Sequence, residues 1–370
     1  MVVLSDLLVD AADAGIELLD AADRDHMPAG HNGPWNDAQT PLRNTGHWAV
    51  LFFEAYERTG ERRFYDAATD CLDLLLRDAA RPQGYGFCHR TEPGKDRCNG
   101  LVGQGWSIEA LTVADRHVPS DRPRSIAEEA FLLHPFDEAA GLWRSVGVDG
   151  TVREPFGTIN QQLWFAAAGS LLCRDGAAPA VADRIAGFLD NLGDTVETYR
   201  GGIVYHSGYP YSDLSFLGQR VGARLWGAGD RIDVLSTGYH SFNLYALAVL
   251  KRSLPDHPVW SSGLVDRLLA PLDDPAYRNR VANNVYAFSY NPTGIELATA
   301  LETFRDGAGV EFWLNEQFRR CYDPDRRLLS DGWDGETLAA RLYEAVRLQD
   351  REVALADPPT VRERSPLARQ

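Results

Sequence analysis

Apolar residues recur along the chain with the three-to-four-residue spacing of an amphipathic helix. The first run, over residues 3–22, places Leu4, Leu7, Leu8 and Ala11 on one face. Comparable runs follow throughout the sequence, and Gly, Pro, Asn and Asp interrupt them. The pattern therefore predicts twelve helices and an all-α fold.

A polar or glycine-tipped turn that leads into an aromatic, apolar helix occurs six times. The clearest copies are residues 43–56, RNTGHWAVLFFEAY, and residues 235–248, LSTGYHSFNLYALA. Looser copies begin near Gly103, Thr158, Pro292 and Gly335. Repetition at intervals of tens of residues is typical of folds built from stacked supersecondary units. We interpret each copy as the inner helix of a helical hairpin, and the six hairpins as an (α/α)6 toroid, a closed barrel.

The predicted connections alternate between short and long, and each long one precedes an inner helix. All long loops would then lie at one end of the toroid, beside the N-termini of parallel inner helices. Long loops on a rigid scaffold commonly carry function, and helix N-termini favour anions. We expect a pocket there that suits a carboxylated or phosphorylated sugar. The alternative interpretation is an α-solenoid scaffold without an active site.

Residues 1–350 are predicted to form a single toroid domain, and residues 351–370 a frayed, charged C-terminal tail. No apolar run approaches the ~20 residues of a membrane span. The N-terminus carries acids and no basic segment, unlike a signal peptide. These features predict a cytoplasmic protein without a transmembrane segment.

The formal charge of −16 argues against a nucleic-acid partner, which requires a basic surface. Lys95 and Lys251 are the chain's two lysines, and the remaining basic residues are arginines. Abundant acids and arginines with few lysines resemble a salt-adapted, GC-rich archaeal proteome, although codon bias alone is an alternative. Under salt adaptation, the acids form a solvated surface.

The five cysteines do not form a C-x-x-C pair. Cys88 and Cys98 are ten residues apart, and with His89 they make only a weak metal motif. We expect reduced, structural thiols, no metal and no organic cofactor.

Aromatic and histidine residues are frequent on the predicted functional end. Flat aromatic rings pack against the apolar faces of sugars, so Trp35, Trp106 and Trp333 are predicted to line the pocket. Trp48 and Trp164 are predicted core residues.

Four histidines fall on the same rim. His89 and His206 are predicted to contact substrate. His47 and His240 follow their turns at nearly equivalent places, and we predict that they form a catalytic acid/base pair. The alternative for each histidine is a structural role as a helix cap or a hydrogen-bonded core group.

The segment 95–100 concentrates charge before an inner helix. Asp96 is a candidate acid/base or hydroxyl ligand, and Arg97 with Arg90 is predicted to bind a carboxylate bidentately. A local Asp–Arg ion pair is the alternative. Further predicted substrate contacts come from amide and hydroxyl side chains: Asn160, Gln161, Tyr239 and Tyr290.

On these motifs the chain resembles the (α/α)6-toroid sugar enzymes, among them sugar 2-epimerases and unsaturated uronyl hydrolases. Segments 95–111, 160–170 and 237–248 are most similar to the AglQ family, encoded in archaeal N-glycosylation gene clusters. That resemblance implies an isomerase acting on a hexuronic acid of the S-layer glycan. The uronyl hydrolases use an aspartate at the start of the third inner helix, where this chain has Asn160, so hydrolysis is in doubt.

The first hypothesis is therefore an isomerase or epimerase of a hexuronic acid, acting by histidine-mediated proton transfer. Its partner would be a sugar or sugar acid, either free or linked to a nucleotide or lipid. The second is a glycoside hydrolase or lyase, which needs facing carboxylates such as Asp96 and Glu109. The third is a non-catalytic glycan-binding protein.

Overall fold

Helices make up most of the computed structural model, which describes residues 1–154, 158–174, 176, 178–206 and 229–355. The α-helices of this part are α1 Leu4–Asp20, α2 Leu42–Thr59, α3 Arg62–Leu76, α4 Gly100–Asp115, α5 Arg122–Leu133, α6 Ile159–Cys173, α7 Pro179–Asp190, α8 Leu192–Thr195, α9 Gly229–Ser253, α10 Leu264–Leu269, α11 Pro275–Ala282, α12 Thr293–Phe304, α13 Val310–Cys321 and α14 Gly335–Ala340. The 3-10 helices are Gly33–Trp35, Asp78–Ala80, Pro258–Ser261, Ala270–Asp273 and Arg341–Arg347. The predicted helix-rich architecture is confirmed.

Four short antiparallel strand pairs complete the described part. They are β1 Val2–Val3 with β8 Glu352–Val353, β2 Phe136–Asp137 with β3 Leu142–Trp143, β4 Thr198–Tyr199 with β5 Ile203–Val204, and β6 Tyr322–Asp323 with β7 Leu328–Leu329. Three of the pairs are hairpins within loops that precede inner helices. The β1–β8 pair instead joins the two ends of the chain.

Two helices differ from the sequence-based expectation. α9 begins at Gly229, ahead of the repeat copy at residues 235–248 that was expected to form the inner helix. The segment 271–291, part of the long loop expected before the copy near Pro292, contains α11, and the Asp274 side chain accepts the Ala276 N–H at 2.8 Å. An aspartate N-cap followed by proline at the first helical position is a helix-start signal, and here it outweighed the polar composition of the segment.

Burial separates inner from outer helices. α6 is buried along nearly its whole length, whereas α3 buries one face through residues such as Phe64, Ala68 and Leu72. A helix that is apolar all round packs in an interior, and an amphipathic one covers it. Trp48 and Trp164 are fully buried, as predicted.

The inner helices contact one another in chain order. α2 packs on α4, α4 on α6, α6 on α9, and α9 on α12. The segment Arg341–Arg347 contacts both α12 and α2. Each of these inner helices therefore lies beside the next one in the sequence.

The end of the described chain is tied to its beginning. Glu352–Val353, within the segment predicted as a tail, pairs with Val2–Val3, and the Ala354 N–H donates to Asn315 Oδ1 at 2.8 Å. Residues 356–370 lie outside the described part. Among the described helices, none is both long and apolar enough to cross a membrane.

Candidate functional site

A cavity of about 460 Å³ opens where the starts of the inner helices meet the long loops. Its volume is typical of small-molecule sites, which span about 300–1,000 Å³. Nine of the predicted site residues line it: Trp35, Arg90, Asp96, Trp106, Asn160, Gln161, His206, Tyr239 and Tyr290. The structure therefore brings residues from distant loops to one place, whereas His47, His89, Arg97, His240 and Trp333 are not part of this wall.

Two glutamines show how each loop is fixed to its helix. Gln104 Oε1 accepts the Phe87 N–H at 2.7 Å, and Gln162 Oε1 accepts the Trp143 N–H at 3.0 Å. Both side chains also donate to carbonyls of the preceding loop. A buried amide that satisfies loop backbone groups holds the loop in register with the helix.

His240 of α9 bonds to the backbone of its preceding loop as these glutamines do, although it lies farther from the start of its helix. Its Nδ1 accepts the Val204 N–H at 3.2 Å, and its Nε2–H donates to the Leu268 carbonyl at 2.9 Å. Burial lowers the pKa of His240 to about 4. This arrangement corrects the prediction of a catalytic His240, because both ring nitrogens are occupied by backbone groups away from the cavity.

His47 lies beneath the cavity wall. Its ring stacks on Tyr343 at 4.5 Å between centroids and meets the edge of Trp106 at 5.9 Å. Burial, followed by the charge of Arg43, lowers its pKa well below the ordinary value. His47 and His240 therefore do not form the predicted pair across the cavity.

Three predicted contacts lie elsewhere. His89 is buried behind Trp106 with its Nε2 3.1 Å from Ser107 Oγ, and burial lowers its pKa to about 3. Arg97 is exposed, with its Nη2 directed to the Cys88 thiol. Trp333 is 49% exposed. None of these three side chains lines the main cavity, which corrects their predicted role there.

Arg90 closes the 95–100 loop rather than offering a free guanidinium. Its Nη1 donates to Asp37 Oδ2 at 3.0 Å, and its Nη2 donates to Asp96 Oδ2 at 2.5 Å. Lys95 also pairs with Asp37. The local ion pair considered as the alternative is thus present, and each of the three nitrogens of Arg90 already donates a hydrogen bond to Asp37 or Asp96.

Asp96 is held as a carboxylate and caps α4. Its Oδ1 accepts the Gly100 N–H at 2.9 Å. Burial favours the neutral form, but the Arg90 charge and the Gly100 N–H outweigh it, so the pKa of Asp96 is lowered. Gln161 Oε1 accepts the next free amide, that of Leu101, at 3.0 Å. Asp96 and Gln161 therefore stabilise the start of the helix as well as lining the cavity.

Arg43 is a cavity residue that the sequence analysis missed. It is 2% exposed, and its guanidinium carbon lies 3.9 Å from the centroid of the Trp106 ring. Its Nη1 donates to Asn32 Oδ1 at 3.3 Å, while its Nε has no partner among the described residues. Burial lowers its pKa, against the opposing influence of Tyr290 and Asp334. No carboxylate in the described part forms an ion pair with this buried cation.

A second missed arginine, Arg341, is fully neutralised. Its Nη2 and Nε each donate at 2.6 Å, to Glu296 and Glu344 respectively, and its Nη1 donates to Asn291 Oδ1 at 2.6 Å. Burial raises the pKa of both glutamates, and the arginine charge opposes that shift. Arg341 is thus as buried as Arg43, but unlike Arg43 it forms ion pairs with carboxylates.

His206 is the histidine that does line the cavity. Its ring centroid is 4.7 Å from that of Tyr239, whose hydroxyl accepts the Trp35 Nε1–H at 2.8 Å. Burial lowers the pKa of His206 to about 4 and raises that of Tyr239 well above its ordinary value. The wall here is therefore a neutral imidazole flanked by aromatic rings.

The cavity is basic although the chain is acidic. Five cationic side chains and two carboxylates line it, in a protein of formal charge −16. Electrostatic focusing within a cleft of this kind attracts anions. Among the described residues, no group of three or more His, Cys, Asp or Glu is arranged to hold a metal ion.

Solved structures share the fold at low sequence identity. A sugar epimerase from a ruminal bacterium has a TM-score of 0.61 at 13% identity, over 93% of this chain and 98% of that chain. For cellobiose 2-epimerase from Bacillus thermoamylovorans the TM-score is 0.58 at 12% identity, over 90% and 95%. For an unsaturated glucuronyl hydrolase specific for heparin it is 0.57 at 11% identity, over 92% and 95%. The architecture is thus the (α/α)6 class seen in sugar epimerases and hydrolases.

The sequence itself assigns the chain within that class. It is 43% identical over 373 residues to archaeal glycosylation protein Q of Haloferax volcanii, covering 96% of this chain and all of the relative. No family model matches the sequence. The chain belongs to the archaeal glycosylation protein Q family.

Proposed function

We propose that this protein isomerises or epimerises a hexuronic acid during assembly of an archaeal N-glycan, by proton transfer through a cavity histidine. The observation that carries the proposal is Arg43, a buried guanidinium without an ion-paired carboxylate in the described part. An uncompensated buried charge is costly, and a ligand carboxylate would neutralise it. Carboxylates also match the donor geometry of arginine.

The position of Arg43 favours a sugar as the carrier of that carboxylate. Its guanidinium lies against Trp106, and Trp35 and Tyr239 stand on the same cavity wall. Aromatic faces pack against the C–H faces of sugar rings. The amides of Asn160 and Gln161 provide hydrogen-bonding partners for hydroxyls, and the Asn160 Oδ1 has no partner within the described ranges.

His206 replaces the predicted pair of His240 and His47 as the proton-transferring group. A neutral imidazole accepts a proton, and burial keeps His206 neutral near pH 7. In the proposed reaction it takes the proton from the hydroxyl-bearing carbon beside the sugar carbonyl and returns it to the carbonyl carbon, while the proton of that hydroxyl passes to the carbonyl oxygen. His206 is the one imidazole among the described residues of the cavity. A single base removes and returns the proton on the same face of the sugar, and this favours isomerisation over epimerisation.

Hydrolysis is the weaker alternative. It requires a carboxyl group that stays protonated near the scissile bond. Asp37 and Asp96 are both bound to Arg90. Glu109, the predicted second carboxylate, accepts the Tyr343 hydroxyl at 2.6 Å and pairs with Arg347 beneath the cavity.

We further propose that the six hairpins close into the predicted toroid. Support comes from the segment Arg341–Arg347, which contacts both α12 and α2, and from the pairing of β1 with β8. Closure would surround the cavity with all six inner helices. A crystal structure in which α14 and α2 separate would contradict it.

The function is tested by incubating the protein with a panel of hexuronic acids in D2O and recording proton NMR spectra. The expected result is a new sugar acid together with loss of the proton signal beside the carbonyl. Release of reducing ends from uronate oligosaccharides would instead indicate a hydrolase, and binding without reaction a glycan-binding protein. A His206→Asn variant should bind but not exchange, whereas the control His26→Gln, at a partly buried histidine outside the cavity, should react normally.

A further inference from the structure

A second, smaller cavity of about 230 Å³ adjoins the main one. The two share Lys95, Asp96 and Arg153 on their walls. Arg97 and Asp149 lie only on the smaller one. We call the group Lys95, Arg97, Asp149 and Arg153 the outer subsite. A ligand in the main cavity can reach it because the two spaces have a common wall.

The outer subsite holds two guanidinium groups that form no ion pair with a carboxylate in the described part. The Arg97 Nη2 donates to the thiol of Cys88 at 3.2 Å, and sulfur is a weak acceptor. The buried Arg153 Nε has no hydrogen-bond partner among the residues described. Asp149 is exposed and its carboxylate accepts the Thr151 N–H at 3.1 Å.

The other charges of this region are already balanced. Lys95 pairs with Asp37, and Asp96 pairs with Arg90. Arg97 and Arg153 therefore form no ion pair and remain available to a ligand, although Asp96 and the solvated Asp149 lie close enough to interact electrostatically with Arg153. The guanidinium fork suits a phosphate, whose several oxygens accept paired N–H donors.

We propose that the outer subsite binds a phosphate group, so that the substrate is a sugar acid joined to a phosphate or diphosphate. This inference rests on the proposed function, since it places the carboxylate on Arg43 and the phosphate on Arg97 and Arg153. A free sugar acid would leave the outer subsite without a ligand group. A nucleoside diphosphate and an isoprenoid phosphate share the phosphate that is recognised.

The test is calorimetric titration of the whole protein with four ligands at one salt concentration, because ionic strength screens these charges. The ligands are glucose, glucuronate, glucose 1-phosphate and glucuronate 1-phosphate. Glucuronate 1-phosphate should bind at least about tenfold more tightly than glucuronate, as expected for new charge-assisted hydrogen bonds. Equal affinities of these two ligands for the wild-type protein would overturn the inference, and this comparison needs no variant.

Variants locate the effect. The double substitution Arg97→Gln with Arg153→Gln should weaken glucuronate 1-phosphate more than glucuronate and so remove the tenfold gain. Arg267→Gln, at an exposed arginine outside both cavities, is the matched control and should change neither. Equal weakening of both ligands by the double variant would contradict the assignment.

The ligand set separates this inference from the proposed function. If glucose 1-phosphate binds as tightly as glucuronate 1-phosphate, the carboxylate site on Arg43 fails while the phosphate site stands. If glucuronate binds through Arg43 and the phosphate adds no affinity, the phosphate site fails while the carboxylate site on Arg43 stands. UDP-glucuronate and a short-chain isoprenyl phosphate glucuronate then distinguish a nucleotide carrier from a lipid carrier. The ligand that binds more tightly identifies the carrier. If both bind more weakly than glucuronate, the inference is overturned.

Discussion

Arg43 and Arg341 are two arginines on one cavity wall, equally buried but differently paired. Replacing Arg43 with methionine removes an uncompensated cation, whose burial costs several kcal/mol. It also removes the contact with Trp106, worth about 2 kcal/mol when desolvated, and the hydrogen bond to Asn32, worth about 1 kcal/mol. These effects oppose each other, so the free energy of unfolding should change by less than about 2 kcal/mol.

Arg341→Met is the matched comparison. It leaves Glu296 and Glu344 buried without the cation that neutralises them. Breaking a buried pair in this way costs about 3–5 kcal/mol. Denaturant unfolding of both variants at a fixed salt concentration and pH should therefore show Arg341→Met as clearly the less stable one.

Ligand binding should respond to Arg43 even though stability does not. Hydrogen bonds to a charged group contribute about 1.5–3 kcal/mol, so Arg43→Met should weaken glucuronate binding roughly 10- to 150-fold. Glucose binding should be almost unaffected, which calorimetry can measure. Destabilisation of Arg43→Met as large as that of Arg341→Met, or unchanged glucuronate affinity, would refute the argument that Arg43 awaits a ligand carboxylate.

Three further predictions concern buried groups. His240→Gln should preserve fold and activity, because Gln104 shows that a glutamine can make the same bonds to loop backbone. His240→Ala should lower the free energy of unfolding, measured with denaturant, by about 1–3 kcal/mol, because it leaves buried backbone groups without hydrogen bonds. Equal stability of the two variants would contradict this role of His240. Glu109→Gln should lower the melting temperature without changing KM, since Glu109 pairs with Arg347 below the cavity. Loss of turnover in a variant that remains stable would instead support the hydrolase alternative. The free energy of unfolding should fall as the pH drops below about 6.5, because histidines in the unfolded chain take up protons before the buried ones do. The loss is roughly 1.4 kcal/mol per pH unit for each buried neutral histidine, until the pKa of that histidine in the folded state is reached. An unchanged free energy of unfolding between pH 7 and 5 would contradict this prediction. The histidines concerned, with pKa lowered by burial to about 3 or about 4, are His89, His134, His206 and His240.

The sequence predicted the helical pattern well because inner helices are apolar all round and outer ones are amphipathic. It also placed Trp35, Trp106 and Asn160 at one site, since loops before inner helices converge there. It failed for His240, whose position after a turn resembled that of His47. Only the backbone bonds to Val204 and Leu268 show that His240 holds a loop in place.

Arg43 was missed for a related reason. Arg43 lies two residues before Thr45. In the same way, Val102 lies two residues before Gln104, and Asn160 lies two residues before Gln162. Arg43, Val102 and Asn160 all line the cavity. Thr45 Oγ1 accepts the Met27 N–H at 3.1 Å, the same loop-holding role as the glutamines. Aligning the repeats on these loop-holding residues would have found Arg43, but Thr, Gln and His share no obvious sequence pattern. Ion pairing, which separates Arg43 from Arg90, is not visible in sequence at all.

The most direct measurement is a crystal structure of the protein with a bound hexuronic acid. We expect the sugar in the main cavity, its carboxylate within about 3 Å of the Arg43 guanidinium, and the carbon beside its carbonyl facing His206. A carboxylate bound away from Arg43, or a sugar held outside this cavity, would contradict it.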